Sequence, residues 1–148
     1  MFAGYSSAEE TAASIDEHGF FRTGDLAVRR GDALTITGRL KDIIIRGGEN
    51  LSPVEIENAL VRHPAIAEAA VVAMPHVRLG EGVAAFVRQV PGVPEPSVQE
   101  VAAFLDGLGL ARQKFPEVLV PIDDFPRTAS GKIRKDLLRE EIRKNMPA

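Results

Sequence analysis

The chain has 148 residues, 45% of them hydrophobic and 26% charged, which is the composition of an ordinary folded domain. This length fits one compact domain, with room for a short piece of a neighbouring one. The chain has no cysteine, which excludes disulfides, thiolate metal sites and thiol catalysis. No apolar run approaches the roughly 20 residues of a membrane-spanning helix, so neither a transmembrane segment nor a signal peptide is predicted.

The net charge of −3 is unevenly distributed. Residues 127–148 hold seven basic and three acidic side chains, so the rest of the chain is strongly acidic. A basic tail can indicate nucleic-acid binding. Here, however, Asp136, Glu140 and Glu141 are mixed into the tail, and aromatic residues for base stacking are missing. A small anionic ligand such as a nucleotide phosphate suits this short segment better, and no nucleic-acid partner is expected.

The first part of the chain predicts a helix, a hairpin and a strand, in that order. Residues 1–19 are small and polar, with one short helix predicted over 11–15. Alternating apolar and polar residues on both sides of Gly31-Asp32 predict a two-stranded hairpin. The apolar run 43–45 then predicts a short buried strand.

The second part predicts three helices and three strands. Two helix starts have a capping-box pattern, formed by Ser52 with Glu55 and by Ser97 with Glu100. The apolar face of a last helix is marked by Ile133, Leu137, Leu138 and Ile142. Strands are predicted over residues 68–74, 83–90 and 118–122. This order predicts an α+β fold, a β-hairpin plus a small, mostly antiparallel sheet with helices packed on it.

Two segments near the hairpin combine glycine with charged residues. Segment 21–25 (Phe-Arg-Thr-Gly-Asp) places Gly24 at a bend and Asp25 at a strand start. A carboxylate there can accept hydrogen bonds from both hydroxyls of a ribose, as in other nucleotide sites. The alternative is a turn with a strand-capping aspartate. In segment 38–42 (Gly-Arg-Leu-Lys-Asp), the planar fork of Arg39 suits bidentate oxygen ligands, and the alternative is a solvated loop of charges.

Two further segments are rich in glycine and small residues. Segment 46–50 (Arg-Gly-Gly-Glu-Asn) lets another backbone or a slim ligand approach closely. It lacks the lysine and spacing of a P-loop, and its alternative is a tight turn. Segment 126–132 (Pro-Arg-Thr-Ala-Ser-Gly-Lys) predicts a mobile, unobstructed loop that delivers the Lys132 ammonium to a phosphoryl centre. The alternative is an ordinary exposed lysine.

No metal-ligating residue is predicted. His18, His63 and His76 are widely spaced, and no carboxylate lies at helical spacing to complete a ligand set. The chain also lacks the Gly-x-Ser-x-Gly elbow of a serine hydrolase.

Together and in this order, the four segments resemble the motifs of the adenylate-forming (AMP-binding) superfamily, and within it those of acyl-CoA synthetases. The resemblance extends over nearly the whole chain, from Phe2 to Leu138. It implies the family's small mobile C-terminal domain. Residues 1–38 would be the tail of the large N-terminal domain, 39–42 the hinge and 43–148 the mobile lid.

The resemblance implies roles for three residues in forming an acyl-adenylate. Asp25 holds the ribose hydroxyls of ATP, and Arg39 also contacts the nucleotide. Lys132 is the catalytic lysine that reaches the substrate carboxylate and the α-phosphate. The carboxylate attacks the α-phosphate of ATP bound with Mg²⁺ and releases pyrophosphate, while Lys132 offsets the negative charge of the reacting oxygens.

The resemblance also implies a second half-reaction, with CoA as co-substrate. The lid swivels about the hinge residue Lys41, which withdraws Lys132 and presents Gly47 and Gly48 to the pantetheine tunnel. The CoA thiol then attacks the acyl carbon, and AMP leaves. One active site would therefore use two faces of one small domain in turn.

The family's phosphate loop and acyl pocket lie in the large N-terminal domain, which these residues do not contain. This chain is therefore expected to be an inactive part of a longer, cytoplasmic enzyme whose substrates are a carboxylic (fatty) acid, ATP and CoA. Two alternatives stay open at this stage. The chain could be a free-standing lid that docks on a separate subunit, or it could belong to an adenylation domain that loads a carrier protein.

Overall fold

A computed structural model describes residues 4–145 of the chain. Contacts divide it into two compact units, Met1–Lys41 and Asp42–Ala148. The division falls inside residues 39–42, and that this segment acts as a hinge stays a prediction. Within residues 4–145, no helix is both long and apolar enough to cross a membrane.

The first unit is a short helix followed by an antiparallel hairpin. Its elements are helix α1 (Ala8–Ser14), strand β1 (Asp25–Arg30) and strand β2 (Ala33–Arg39). The helix begins earlier than predicted because the Ser7 hydroxyl caps it by accepting the Glu10 N–H at 3.3 Å. The predicted hairpin is confirmed, and Gly31 supplies the positive φ of 61° that its turn requires. The register places Asp25 opposite Arg39.

The second unit is built on a five-stranded sheet. Its strands are β3 (Ile44–Arg46), β4 (Glu49–Leu51), β5 (Ile66–His76), β6 (Gly80–Gln89) and β7 (Val118–Pro121). The strand order is β4-β3-β6-β5, and β7 also pairs with β6. All pairs are antiparallel except β6 with β7, so the prediction of a mostly antiparallel sheet is confirmed.

Helices cover both faces of the long β5–β6 ladder. They are α2 (Pro53–Leu60), α3 (Val98–Gly107) and α4 (Lys135–Asn145). On one face, Val71 and Val83 belong to a core cluster with residues of α2 and α3, whereas on the other Val72 and Phe86 cluster with residues of α4. Burial on both faces explains why residues 69–74 are continuously apolar instead of alternating. The resulting α+β fold has three layers.

One of the two predicted capping boxes is present. The Ser97 hydroxyl accepts the Glu100 N–H at 3.2 Å, and the Ser97 N–H donates to the Glu100 carboxylate at 2.8 Å. Ser52 is the N-cap of α2, but its side chain makes no capping hydrogen bond, so the first predicted box is wrong. The Glu55 carboxylate instead accepts hydrogen bonds from Lys114 Nζ at 2.7 and 2.8 Å.

Three local predictions differ from the structure. Ile45 is 55% exposed, so the predicted buried strand is buried only in part. Strand β4 was not expected, and it forms because a two-glycine turn folds the chain back on β3. Ile133 lies before α4, where it forms an isolated bridge with Arg127.

Candidate functional site

Asp25 and Arg39 meet at the open end of the first unit's hairpin. Arg39 Nε donates to Asp25 Oδ1 at 2.9 Å. The Asp25 N–H donates to Thr23 Oγ1 at 3.1 Å, which holds the residue at the start of β1. None of residues 4–145 donates a hydrogen bond to Asp25 Oδ2. The pair therefore offers one carboxylate oxygen that can accept from a hydroxyl group and one half-exposed guanidinium.

A cavity of about 390 Å³ lies beside this pair. It is lined by Thr23, Gly24, Arg39, Leu40 and Lys41. The Leu40 N–H donates to the Gly24 carbonyl at 2.8 Å, which joins the segments 21–25 and 38–42. Lys41 lies in the short 3-10 helix Leu40–Asp42 that follows β2. The first unit thus brings two of the four predicted segments into one place.

Gly47 and Gly48 form the two-residue turn between β3 and β4. Their φ values of 58° and 86° are those of a type I′ turn, which needs positive φ at both positions. The Gly47 N–H donates to the Leu79 carbonyl at 2.9 Å, and a Cβ on Gly47 would lie 3.3 Å from Leu79 Cδ2. Around a Cβ on Gly48, no atom of residues 4–145 lies within 4 Å. The open side of the turn is therefore at Gly48.

A partly buried ion pair lies directly behind this turn. Arg46, the last residue before the glycines, donates from Nε at 3.0 Å and from a terminal nitrogen at 2.7 Å to Glu117 Oε1. Both side chains are mostly buried, at 21% and 26% exposure. His76 Nε2 lies 3.7 Å from Glu117 Oε2. A Cβ on residue 82 would lie 2.8 Å from this oxygen, so Gly82 leaves the space for the carboxylate.

Lys132 ends a hydrogen-bonded turn whose glycine side is open, and that this segment is mobile stays a prediction. The Thr128 N–H donates to the Lys132 carbonyl at 2.8 Å, and the Gly131 N–H donates to the Thr128 carbonyl at 2.9 Å. The Lys132 N–H donates to Thr128 Oγ1 at 3.1 Å, and Gly131 has a φ of 83°. The small residues therefore form a tight turn, and the Lys132 side chain is exposed at its end.

Glu68 on β5 joins the lysine turn to the sheet. Arg127 donates from one terminal nitrogen to Glu68 Oε1 at 2.5 Å and from the other to the Gly131 carbonyl at 3.1 Å. The other carboxylate oxygen, Oε2, accepts two longer hydrogen bonds of 3.3 Å from Arg88, the cross-strand partner of Glu68. A single carboxylate is thus connected, through Arg127, to the residue immediately before Lys132.

None of the ion pairs among residues 4–145 includes Lys132, whereas its neighbours Arg134 and Lys135 are both paired. Arg134 donates to Asp136 Oδ2 at 2.6 Å in the first turn of α4. This hydrogen bond, together with the attraction between the two charges, holds the pKa of the Asp136 carboxyl below its usual range. It also raises the pKa of Arg134. Asp136 is therefore engaged by Arg134 and not by Lys132.

The glycine turn and the lysine turn lie at opposite ends of the β5–β6 ladder. Arg46 pairs with Gly80, which lies opposite His76 at one end of the ladder. Arg127 contacts Glu68 near the other end. The strand from Glu68 to His76 extends about 27 Å at 3.4 Å per residue. These two predicted site segments therefore lie at opposite ends of one sheet and not within reach of the same small ligand position.

Sequence reasoning missed Glu68 and Glu117. Each carboxylate contacts an arginine that is 59 or 71 positions away in the chain, so no local pattern connects the two. The only local signal is an acidic residue next to an apolar run, at residues 69–74 for Glu68 and at β7 for Glu117. That signal is common at strand ends and indicates no partner.

A three-layer domain with a basic turn and a glycine turn at the two ends of its sheet has the architecture of the C-terminal domain of adenylate-forming enzymes. Residues 55–132 match the AMP-binding enzyme C-terminal domain, and the chain belongs to this family. The predicted resemblance to the adenylate-forming superfamily and the predicted fold class are thereby confirmed.

Curated relatives and solved structures agree with this assignment. The chain is 46% identical to the medium-chain fatty-acid–CoA ligase of Escherichia coli K12, over 99% of this chain and 26% of the ligase. It is 43% identical to the 2,3-dihydroxybenzoate-AMP ligase of Bacillus subtilis 168, over 98% of this chain and 27% of that enzyme. ATP-bound MatB from Rhodopseudomonas palustris superposes with a TM-score of 0.86 and 39% identity, over 95% of this chain and 28% of MatB. The chain thus spans about a quarter of the length of these relatives.

Proposed function

We propose that this chain is the C-terminal part of an ATP-dependent acyl-CoA synthetase. The enzyme activates a carboxylic acid, of the fatty-acid class, as an acyl-adenylate and transfers the acyl group to CoA. The observation that carries the proposal is the placement of two motif turns at opposite ends of one ladder, in a domain of the AMP-binding family. Similarity to a medium-chain fatty-acid–CoA ligase supports the fatty acid and CoA as substrates.

In the first half-reaction, Lys132 is the catalytic residue. Its ammonium is exposed on a tight turn, which can place it beside the reacting carboxylate and the α-phosphate. A fixed positive charge there stabilises the transition state because negative charge concentrates on the transferring oxygens. In the first unit, Asp25 accepts from the ribose hydroxyls and Arg39 contacts the nucleotide, next to the cavity described above.

Mg²⁺ enters this proposal as part of the ATP substrate. Among residues 4–145, no group of three or more His, Cys, Asp and Glu side chains could hold a metal ion. The proposal therefore assigns no residue of this chain as a Mg²⁺ ligand. Polyphosphate oxygens are suitable ligands for a small hard cation, which retains several of its waters.

In the second half-reaction, the lid turns about Lys41 and presents the Gly47–Gly48 turn. The separation of the two turns supports this step, because a ligand position reached by Lys132 is out of reach of the glycines unless the domain moves. Gly48 has an open side that a slim pantetheine chain can approach. The proposal places the enzyme in the cytoplasm, where ATP and CoA are both available.

A second candidate function differs from the first in the thiol that accepts the acyl group. Similarity to a 2,3-dihydroxybenzoate-AMP ligase supports acyl-adenylate formation equally well. The thiol that receives the acyl group would then be that of a carrier protein in place of CoA. Both functions share the first half-reaction and the lid rotation, so only the second half-reaction separates them.

The test uses the full-length polypeptide that carries this chain. With a panel of aliphatic and aromatic carboxylic acids, ATP–pyrophosphate exchange is expected for fatty acids, followed by AMP release when CoA is added. Exchange without a CoA-dependent product would favour the carrier-protein function. ATP–pyrophosphate exchange by residues 1–148 alone would contradict the assignment of the chain as a lid. The proposal would also fail if the full-length polypeptide showed no exchange with any of the acids.

A further inference from the structure

We propose that Glu68 and Glu117 are positioning residues, one for each of the two functional turns. Glu68 orients the Lys132 turn for adenylate formation, and Glu117 orients the Gly47–Gly48 turn for thioester formation. Neither touches substrate, and each acts through the arginine that belongs to its turn. The inference rests on the proposed function, because it divides the two half-reactions of that function between two carboxylates.

Glu68 provides a charged contact between the Lys132 turn and the sheet. The turn's own hydrogen bonds join Thr128, Gly131 and Lys132 to one another, while Phe125 before it and Ile133 after it pack on the core. Arg127 adds a polar connection at the tip of the turn, since it donates both to Glu68 and to the Gly131 carbonyl. A charge-assisted contact of this kind is short and directional. Loss of the Glu68 charge would therefore loosen the turn in which Lys132 is held.

Strand β5 makes Glu68 a rigid support. Its cross-strand partner Arg88 donates twice to the second carboxylate oxygen, so both oxygens are engaged. The side chain is only 25% exposed, which limits its freedom to adopt other rotamers. A group held this way can position another without contacting the ligand, and displacement of a catalytic group by about 1 Å can cost a hundredfold in rate.

Glu117 holds the Gly47–Gly48 turn in the same way at the other end of the ladder. Both hydrogen bonds from Arg46 converge on Oε1, and Arg46 is joined directly to Gly47. The Glu117 N–H donates to the Val83 carbonyl at 2.9 Å, which fixes the residue to the centre of the sheet. The space for its second oxygen exists because residue 82 is glycine. The pair thus connects the glycine turn to β6 and sets the direction of the open side at Gly48.

The experiment measures the two half-reactions separately in the full-length enzyme. Glu68→Gln should lower kcat for ATP–pyrophosphate exchange about tenfold, with KM for ATP and thioester formation from supplied acyl-adenylate within about twofold. Glu117→Gln should lower the rate of thioester formation from supplied acyl-adenylate about tenfold and leave ATP–pyrophosphate exchange within about twofold. Glu68→Asp and Glu117→Asp, which retain the charge, should recover part of the lost rate, as a purely steric role would not predict.

Glu55→Gln is the matched control. Glu55 also pairs with a cation 59 positions away, here Lys114, but contacts neither turn. This variant should leave both half-reactions unchanged, and thermal unfolding of all variants should agree within a few degrees. The inference would be overturned if Glu68→Gln or Glu117→Gln lowered the rates of both half-reactions together. It would also be overturned if their rates fell no more than those of Glu55→Gln.

Failure of the inference and failure of the proposed function give different results. If the wild-type enzyme catalyses exchange and Lys132→Ala abolishes it, while Glu68→Gln and Glu117→Gln behave like Glu55→Gln, only the inference falls. If the wild-type enzyme forms no acyl-adenylate from any acid, the proposed function falls and the inference falls with it.

Discussion

At the scale of single residues, the proposed chemistry depends on three charged groups, Asp25, Arg39 and Lys132. Asp25 and Arg39 are opposite each other across a hairpin, so a ribose hydroxyl would meet a carboxylate already fixed by a guanidinium. Lys132 is different, because none of the ion pairs within residues 4–145 includes it, although Arg134 and Lys135 beside it are paired. A cation without a partner is available to a ligand, whereas a paired one must first give up its partner.

Lys132→Ala in the full-length enzyme should lower the rate of ATP–pyrophosphate exchange by about a hundredfold or more, because a fixed charge at the reacting oxygens is lost. Thioester formation from supplied acyl-adenylate should be largely spared. The control is Lys144→Ala, an exposed lysine in the last turn of α4, which should change neither rate. Equal loss of both half-reactions in Lys132→Ala would contradict the separate use of the two turns.

Asp25→Asn should raise KM for ATP about tenfold, because a hydrogen bond to a charged acceptor contributes about 1.5–3 kcal/mol. Asp32→Asn serves as the control, since Asp32 is fully exposed in the hairpin turn and 3.9 Å from Arg29. Steady-state kinetics with varied ATP provide the measurement. An unchanged KM in Asp25→Asn would rule out the ribose-binding role.

At the scale of elements, turns and caps decide where the functional groups lie. Gly47 and Gly48 adopt positive φ, and this creates the reversal that adds β4 to the sheet. The segment that joins the two units ends in the short 3-10 helix Leu40–Asp42. Such short helices tolerate rearrangement because they contain few hydrogen bonds.

Lys41→Pro should strongly reduce thioester formation and retain ATP–pyrophosphate exchange. Proline fixes φ near −65°, the value of a 3-10 helix, and so removes the backbone freedom that a swivel needs. Lys41→Ala removes the side chain but leaves the backbone free, and it should keep most of both activities. If the alanine variant loses as much thioester formation as the proline variant, the effect belongs to the side chain and the hinge role fails.

The capping box of α3 gives a pH-dependent prediction. Hydrogen bonds from the Ser97 N–H and hydroxyl hold the pKa of Glu100 below its ordinary value of 4.5. The folded state therefore binds the proton more weakly than the unfolded state, so the stabilisation is present above pH 4.5 and is lost as the pH falls through the folded pKa.

Glu100→Gln should consequently be less stable than the wild type at pH 7, and the difference should fade at pH 3. Urea unfolding of the 148-residue chain at both pH values measures it. Glu95→Gln, an exposed glutamate in the preceding linker, should show no such difference. A stability gap that is equal at both pH values would mean that the ionised carboxylate does not cap the helix.

At the scale of the whole molecule, the two units differ in how much core they contain. All large side chains that are fully buried within residues 4–145 lie in the second unit, from Ile44 to Leu138. In the first unit, Leu34 and Ile36 are 70% and 60% exposed on one face of the hairpin. This difference supports the proposal that residues 1–38 belong to the large N-terminal domain, which would cover them.

Residues 42–148 expressed alone should therefore fold, with an unfolding midpoint within about 5 °C of that of the whole chain. Residues 1–41 alone should show little secondary structure, because an isolated two-stranded hairpin is marginally stable in water. Circular dichroism with thermal unfolding tests both fragments. Failure of residues 42–148 to unfold cooperatively would show that their two core clusters do not suffice.

Local sequence patterns were enough to predict most of the helices and strands, and the order of the motifs was enough to predict the family. Alternation predicted the β1–β2 hairpin, and Ser97 with Glu100 predicted the start of α3, because these signals act between near neighbours. The same pattern at Ser52 and Glu55 failed because Lys114, remote in sequence, takes the Glu55 carboxylate. A local sequence pattern cannot predict a partner that is remote in sequence and becomes a neighbour only in the folded chain.

The four motifs and their order, which need only the sequence, determined the family and hence the candidates Asp25, Arg39, Gly48 and Lys132. Only the tertiary structure decided how they are grouped. It placed the lysine turn and the glycine turn at opposite ends of one ladder and supplied each with a carboxylate from a distant segment. The reason is physical, because strand pairing and burial on both sheet faces fix which remote residues become neighbours, and these depend on the whole fold.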